Sequence, residues 1–555
     1  MPTFKITGSL MPNILKSADT VIVNAGVHTL DPRQPSASTI VIANGRILAA
    51  GGKHLLREHR GTHTQVHDAK GQTITPGLID GHIHPIQGSE ITIGVDFGPV
   101  STFDGFLAVL RTEAARVLAD NPAGWVRGWN LDYGVFEGRR ISADLIEESV
   151  HGLPAYILLF DLHTALASRK ALSLSGITGA RRFCDNSEIV VDEAGNPTGE
   201  LRESTAYELV GSTAPALSAA QAVERARELI SCLSRTGITS GTIMDGDLAS
   251  LDFIDKIDST GSGLPVRLVS ALEHRPGLTA EEARSYVLSK DRRGRRWRGG
   301  LIKLLLDGVI DTGTGWLYEP DTMGGGLKSF WPDPADYAAT VKNYSDAGFQ
   351  IATHAIGDRA IGAAIEAYVS AGVRSRRGAP HRIEHLECLA DTDLARLSAA
   401  GITASMQPLH MQWRKADGSD SWSSRLGAER SKRAWRIRDV IDSGAPVALG
   451  SDWPVAQYDA RIGMAWARLR RIPGRTDGHV FEPSQRLTAL EALKGFSVWA
   501  AEAQGDHDQG SIRPGNRADL AIWADDPLLV SADDLIDLPI ESTWVDGETV
   551  FSRQE

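Results

Sequence analysis

The 555-residue sequence has no hydrophobic run long enough to cross a bilayer, which takes about 20 apolar residues. Its longest convincing apolar run, residues 155–160, has the length of a buried strand. The first twenty residues lack the continuous apolar segment and the small-residue cleavage site of a secretory signal. We therefore expect no membrane partner and a cytoplasmic location.

Cysteine is scarce, and acidic residues outnumber basic ones. Cys184, Cys232 and Cys388 form no CxxC pair and no disulfide spacing, so we expect free thiols. The formal net charge is −12, whereas binding to a phosphate backbone depends on accumulated lysine and arginine. The arginine-rich segment 292–298 is the one exception, and a solvated loop before a strand is its simpler interpretation. We expect no nucleic-acid partner.

The pattern of hydrophobic residues changes along the chain. Both ends alternate apolar and polar residues around Gly and Pro, which indicates strands that could complete one β-sandwich. Between them, helical periodicity is repeatedly followed by a short apolar strand, as in a parallel α/β barrel. The predicted domains are the N-terminal part of the sandwich (1–75), the first barrel strand (76–91), an inserted α/β subdomain over the active site (92–213), the remaining barrel (214–505) and the C-terminal part of the sandwich (506–555).

The strongest local signal is the pair His82 and His84 after an apolar strand. Residues i and i+2 of a strand point to the same face, so both imidazoles could bind one metal ion. Three further strand-like segments end in ligand-type residues, namely His354, His385 and Asp452. In a barrel, all of these side chains would lie at the same carboxyl-terminal rim. The pattern predicts a metal site there.

Lys303 lies within the apolar strand-like segment GGLIKLLLDG. A lone buried ammonium group is costly. The lysine is therefore either paired with a carboxylate, Asp307 or Asp311, or chemically neutralised.

Nine motifs together resemble the amidohydrolase superfamily, and within it the YtcJ-like, amidohydrolase-3 group that includes N-substituted formamide deformylases. They are PGLIDGHIHP (76–85), GWNLDY (128–133), HTALASRKAL (163–172), PTGELRE (197–203), KLLLDG (303–308), HAIGDRA (354–360), RIEHLE (382–387), GSDWPV (450–455) and GSIRPGNRADL (510–520). The resemblance implies a (β/α)8 TIM barrel with a terminal β-sandwich and a subdomain inserted after barrel strand 1.

The resemblance also implies a ligand set. It consists of His82 and His84 from barrel strand 1, His354 from strand 5, His385 from strand 6 and Asp452 from strand 8. Lys303 falls on strand 4, where the family can carry a carboxylated lysine between two metal ions. One or two divalent ions, with zinc favoured by the imidazole-rich set, are therefore expected.

The expected activity is hydrolysis of a C–N bond in a small amide, N-acyl or N-formyl substrate. Asp452 would act as general base, and His385 or His163 would stabilise the oxyanion. Trp129, Glu203 and His410 are candidate substrate contacts. Two alternatives stay open, a single-metal deaminase of nitrogen heterocycles and a non-catalytic regulatory protein. A homo-oligomer is compatible with the sequence.

Overall fold

The structure is a computed structural model that describes residues 17–183 and 187–553. Cys184 and most of the N-terminal segment weighed as a secretory signal lie outside the described residues. Cys232 and Cys388, within them, are free thiols. Across the described ranges, no helix is both long and apolar enough to span a membrane.

The strands form three sheets. In chain order they are β1 Thr20–His28, β2 Ser36–Ala43, β3 Arg46–Gly51, β4 Gln65–Asp68, β5 Thr73–Pro76, β6 Leu78–Ile83, β7 Val95–Asp96, β8 Val126–Leu131, β9 Ala155–Leu159, β10 Thr164–Ala167, β11 Arg181–Arg182, β12 Glu188–Val191, β13 Pro197–Arg202, β14 Ile238–Ile243, β15 Arg267–Glu273, β16 Trp297–Leu305, β17 Gln350–Ala355, β18 Arg382–His385, β19 Thr403–Met406, β20 Val447–Leu449, β21 Leu520–Trp523, β22 Ile540–Val545 and β23 Glu548–Ser552.

Helices alternate with the barrel strands and also occur in the insert. They are α1 His54–His59, α2 Pro85–Ile91, α3 Phe103–Asp120, α4 Arg169–Leu174, α5 Ser204–Gly211, α6 Ala219–Ser234, α7 Leu248–Asp258, α8 Ala280–Ser289, α9 Pro334–Ala347, α10 Asp358–Ala371, α11 Asp391–Ala400, α12 Ser421–Arg430, α13 Ile437–Asp442, α14 Ala460–Leu469, α15 Ala489–Gly495 and α16 Val498–Gln504.

Helix α6 illustrates how the sequence specifies these elements. Ser218 caps its first turn in a reciprocal capping box with Gln221. Its buried residues follow the helical spacing of one face, namely Val223, Ala226, Ile230 and Leu233. This face packs in the same core cluster as the barrel strand β14 that follows it.

Eight parallel strands form the barrel, in the order β6, β14, β15, β16, β17, β18, β19, β20. At the seam between the first and last strands, the backbone N–H of Asp452 donates to the carbonyl oxygen of His82 at 2.8 Å. The Asp80 carboxylate also accepts N–H groups from His82 and Ser451, both at 3.0 Å. The predicted TIM barrel is confirmed, and the seam lies beside two predicted ligands.

The two ends of the chain meet in one eight-stranded sheet. Its order is β23, β22, β21, β5, β1, β2, β3, with β4 paired to β1. Strand β5 runs antiparallel to β21, with Pro76 opposite Leu520. Trp523 and Ile540 of this sheet are buried in the barrel's core cluster. The predicted union of the terminal strands is confirmed.

The segment that connects barrel strands β6 and β14 along the chain is the insert, and it forms a third sheet. Its order is β11, β12, β13, β10, β9, β8, β7, and it buries a separate hydrophobic cluster around Phe97, Phe106 and Phe136. The insert after barrel strand 1 is therefore confirmed as part of the fold. The domain boundaries at residues 75, 91, 213 and 505 stay a prediction.

Candidate active site

A cavity of about 360 Å³ opens at the carboxyl ends of the barrel strands. The barrel supplies its floor and the insert supplies part of its wall. Its charged and histidine side chains are His82, His84, Asp161, His163, Glu203, Asp245, Glu273, Arg275, Lys303, Asp311, His354, His385, Glu387, His410, Arg414 and Asp452. Such a concave site with convergent polar groups is the usual form of an active site.

Two histidines and one carboxylate meet at a single point of this cavity. The Nε2 atoms of His82 and His84 lie 3.2 Å apart. Oδ1 of Asp452 lies 3.2 Å from the first and 2.9 Å from the second. Burial alone would raise the pKa of Asp452, but His82 and His84 lower it well below its usual range. The group is therefore an anion beside two imidazoles.

A carboxylate holds the remote nitrogen of each imidazole. Nδ1 of His82 lies 2.7 Å from Oε2 of Glu384, and Nδ1 of His84 lies 2.9 Å from Oδ1 of Asp245. A carboxylate only accepts hydrogen bonds, so it keeps a proton on Nδ1 and turns Nε2 toward the common point. Histidine ligands of metal ions have this second contact as a rule.

The two imidazoles respond differently to their surroundings. Burial lowers the pKa of His84, but hydrogen bonds to Asp245 and Asp452 outweigh it and raise that pKa to about 9. Burial lowers the pKa of His82. A divalent metal at this point would need the neutral form of each imidazole as its ligand. The donor set, two imidazole nitrogens and a carboxylate, fits a divalent metal such as zinc.

His385 and His354 extend the group. Ligand atoms of His82, His385 and Asp452 all lie within 4.8 Å of one another. The rings of His354 and His385 have centroids 4.4 Å apart, so both belong to the same cluster. Nδ1 of His385 lies 2.9 Å from Oε1 of Gln407. The other ring nitrogen, Nε2, is therefore the one available to bind a metal ion.

Lys303 is buried on β16 and lines the same cavity. Burial lowers its pKa, and Glu384 and Asp452 oppose that shift. Within residues 17–183 and 187–553 its ammonium group forms no ion pair with Asp307 or Asp311. Asp307 instead accepts backbone N–H groups, those of Trp316, Ile356 and Gly357. Neither carboxylate proposed from the sequence neutralises the lysine.

The insert contributes a histidine–glutamate pair. Nδ1 of His163 lies 2.6 Å from Oε2 of Glu203, and the rings of His163 and His354 have centroids 6.3 Å apart. Burial lowers the pKa of His163, but Glu203 outweighs it and raises that pKa to about 9. Glu203 has φ 61° and ψ 162°, a strained conformation for a residue with a side chain. The backbone thus holds this carboxylate at the cavity.

Aromatic residues form another wall. The rings of Phe160 and Trp413 stack with centroids 4.2 Å apart. The ring centroids of His410 and Trp413 are 5.4 Å apart. Nε2 of His410 lies 3.6 Å from Oδ2 of Asp452 and is buried without a hydrogen-bond partner among the described residues. Trp129, a predicted substrate contact, is not among the described residues that line the cavity. It packs instead against a second hydrophobic cluster of the insert, which includes Tyr156.

Comparison with known proteins identifies the family. The sequence profile of the amidohydrolase family matches residues 65–551. The chain belongs to the amidohydrolase family. This confirms the resemblance found in the motifs. Members are hydrolases, and the buried His82, His385 and Asp452 form a group that could hold a metal ion.

Similar proteins match this amidohydrolase over almost its full length. Protein LONG AFTER FAR-RED 3 of Arabidopsis thaliana is 30% identical over 98% of this chain and 93% of its own. An N-substituted formamide deformylase of Arthrobacter pascens is 27% identical over 96% of this chain and 98% of its own. A solved structure of a metal-dependent hydrolase from Pyrococcus horikoshii OT3 superposes with TM-score 0.71 at 20% identity, covering 92% and 99% of the two chains. The last comparison concerns the fold alone.

Glu384 and Asp245 of this amidohydrolase were not identified from the sequence as functional. Glu384 lies beside His385 in the motif RIEHLE, and Asp245 follows strand β14 by two residues. Strict alternation places Glu384 and His385 on opposite faces of β18. The structure instead has φ 77° at His385, where the strand ends, and both side chains enter the site.

Proposed function

We propose that this amidohydrolase cleaves the C–N bond of an amide, N-acyl or N-formyl substrate with a bound divalent metal, zinc first among the candidates. The observation that carries the proposal is the meeting of His82 Nε2, His84 Nε2 and Asp452 Oδ1 within 3.2 Å of one another. The full-length match to a protein named N-substituted formamide deformylase supports the choice of bond. Lys303, His354 and His385 would complete the ligand set.

A metal ion held here would supply a Lewis acid that lowers the pKa of a coordinated water to about 7. The two oxygens of Asp452 then have separate tasks. Oδ1 lies against His82 and His84, whereas Oδ2 faces His385 at 3.8 Å and His410 at 3.6 Å. Because Asp452 is ionised, Oδ2 would accept a proton from the attacking water and return it to the leaving nitrogen.

His163 is the better placed of the two candidate oxyanion donors. With its pKa raised to about 9 beside Glu203, the imidazole is a cation at pH 7. Its Nδ1 is occupied by Glu203, so its Nε2 is the proton donor available to the cavity. A charged donor aimed at the reacting carbonyl stabilises the negative charge that develops there in the transition state. Burial lowers the pKa of His385 well below its usual range, so this neutral imidazole is better suited to act as a metal ligand.

The test is metal analysis of the purified protein combined with a substrate screen. N-formyl amides, N-acyl amides, cyclic amides and amino-substituted nitrogen heterocycles would be incubated with the wild type and His82→Ala. We expect at least about one metal ion per wild-type chain and release of an amine from an amide. Ammonia released only from heterocycles would favour the deaminase, and bound metal without any turnover would favour the regulatory protein.

A further inference from the structure

An ion pair is completely buried inside the barrel behind the metal site. Arg382 and Glu384 lie two residues apart on β18, and both have 0% exposure. Nε of Arg382 donates to Oε1 of Glu384 at 2.6 Å, and Nη2 donates to Oε2 at 3.0 Å. This bidentate geometry fixes the plane of the carboxylate.

The pair holds His82 from two sides. Oε2 of Glu384 accepts the hydrogen bond from Nδ1 of the imidazole at 2.7 Å. Nη2 of Arg382 donates to the carbonyl oxygen of Gly81, the preceding residue, at 2.6 Å and to Oγ of Ser405 at 2.7 Å. The ring and the backbone that carries it are therefore held by one cluster that joins β6, β18 and β19.

Stability is a poor explanation for such a pair. Removing two charges from water costs more than their attraction usually returns, so a well-packed apolar pair of similar volume is often equally or more stable. Nη1 of Arg382 is moreover buried without a hydrogen-bond partner among the described residues. This ion pair adds little to stability and contacts the predicted ligand His82. A role in orienting that ligand therefore explains it better than a role in stability does.

We infer that Arg382 and Glu384 are positioning residues that set the metal affinity of His82 by holding its proton on Nδ1 and its Nε2 toward Asp452. The inference rests on the proposed metal site. Glu384 supplies the acceptor for Nδ1 of His82, and the bidentate contact with Arg382 fixes the orientation of its carboxylate. Loss of such a partner typically weakens metal binding about 10- to 100-fold.

Two double variants separate positioning from structural support. Arg382→Met with Glu384→Leu removes both charges and the acceptor, whereas Arg382→Met with Glu384→Gln keeps a neutral acceptor for His82. The matched control is Arg267→Met with Asp519→Asn, which alters a buried ion pair of 3.2 Å between the barrel and the terminal sheet. Metal dissociation constants would be measured by chelator competition, with the cobalt(II) spectrum and the unfolding temperature of each protein.

We expect the leucine variant to remain folded and to bind metal about 10- to 100-fold more weakly. The glutamine variant should lie between it and the wild type because a neutral acceptor bonds more weakly than a carboxylate. The control should keep wild-type affinity and spectrum, whatever its unfolding temperature. Equal affinity in all variants, or failure of both Arg382 variants to fold, would overturn the inference. A wild type that binds no metal would instead overturn the proposed function, and this inference with it.

Discussion

Replacing Asp452 with asparagine tests the proposed base with little change in volume. The amide oxygen can still accept at the position of Oδ1, where His84 Nε2 lies 2.9 Å away. The amide nitrogen then replaces Oδ2, which faces His410 Nε2 at 3.6 Å and His385 Nδ1 at 3.8 Å. An amide nitrogen cannot accept a proton, so the variant loses the base while it keeps the shape of the site.

The expected loss of rate in Asp452→Asn follows from the role of Asp452 as general base. A positioned general base contributes about two to four orders of magnitude in rate. At about 1.36 kcal/mol per factor of ten, this corresponds to about 3–5 kcal/mol of transition-state stabilisation. Metal should be largely retained because His82 and His84 keep their orienting carboxylates, Glu384 and Asp245. The loss should therefore appear in kcat.

The assay is steady-state hydrolysis of the best amide at saturating substrate, with the metal content of the same samples. Asp346→Asn is the matched control, since Asp346 is an exposed residue of α9 that pairs only with Lys342 among the described side chains. It should have wild-type kcat. A metal-loaded Asp452→Asn protein with near-native kcat would refute the assignment of the base.

Three further predictions concern the ligands, the buried lysine and acid stability. His82→Ala and His84→Ala should each lower metal content and abolish turnover while the far-ultraviolet circular dichroism stays native; full metal and activity would exclude these ligands. We predict that Lys303 is carboxylated and lies between two metal ions, so bicarbonate should assist reconstitution of the apoprotein with metal. A metal content of about one ion per chain, together with a measured mass that shows Lys303 unmodified, would reject this prediction. Arg438 lowers the pKa of Glu491 from 4.5 to about 2. The carboxylate therefore stabilises the fold above pH 4.5, and this contribution is lost as the pH falls toward 2. Unfolding free energies measured from pH 6 to 2 should fall less steeply for Glu491→Gln, and an unchanged slope would contradict the linkage.

Local periodicity in the sequence was sufficient to predict the helices and strands, and the resemblance of the motifs was sufficient to predict the family. Helix α6 is specified by its capping residue and by apolar residues at helical spacing. His82 and His84 are two residues apart on a strand, so a shared face follows from strand geometry alone. The repeated order of helix and strand then predicts a barrel, in which the carboxyl ends of the strands share one rim.

Only the tertiary structure decided which side chains hold the predicted ligands His82 and His84 in place. Glu384 is 302 residues from His82, and Asp245 is 161 residues from His84. Periodicity tells which face a side chain occupies but not which distant residue lies opposite it. Trp129 shows the same limit of reasoning from sequence. It lies in one of the recognised motifs, yet its ring does not line the cavity.

The pairing of His163 with Glu203 depends on the backbone of the insert. The two residues lie 40 positions apart and meet through the antiparallel strands β10 and β13 and the strained φ of 61° at Glu203. Local propensity disfavours that conformation, so surrounding packing must hold it. The residue types were therefore apparent from the sequence, whereas their distances, charges and partners were decided by contacts between segments far apart in the chain.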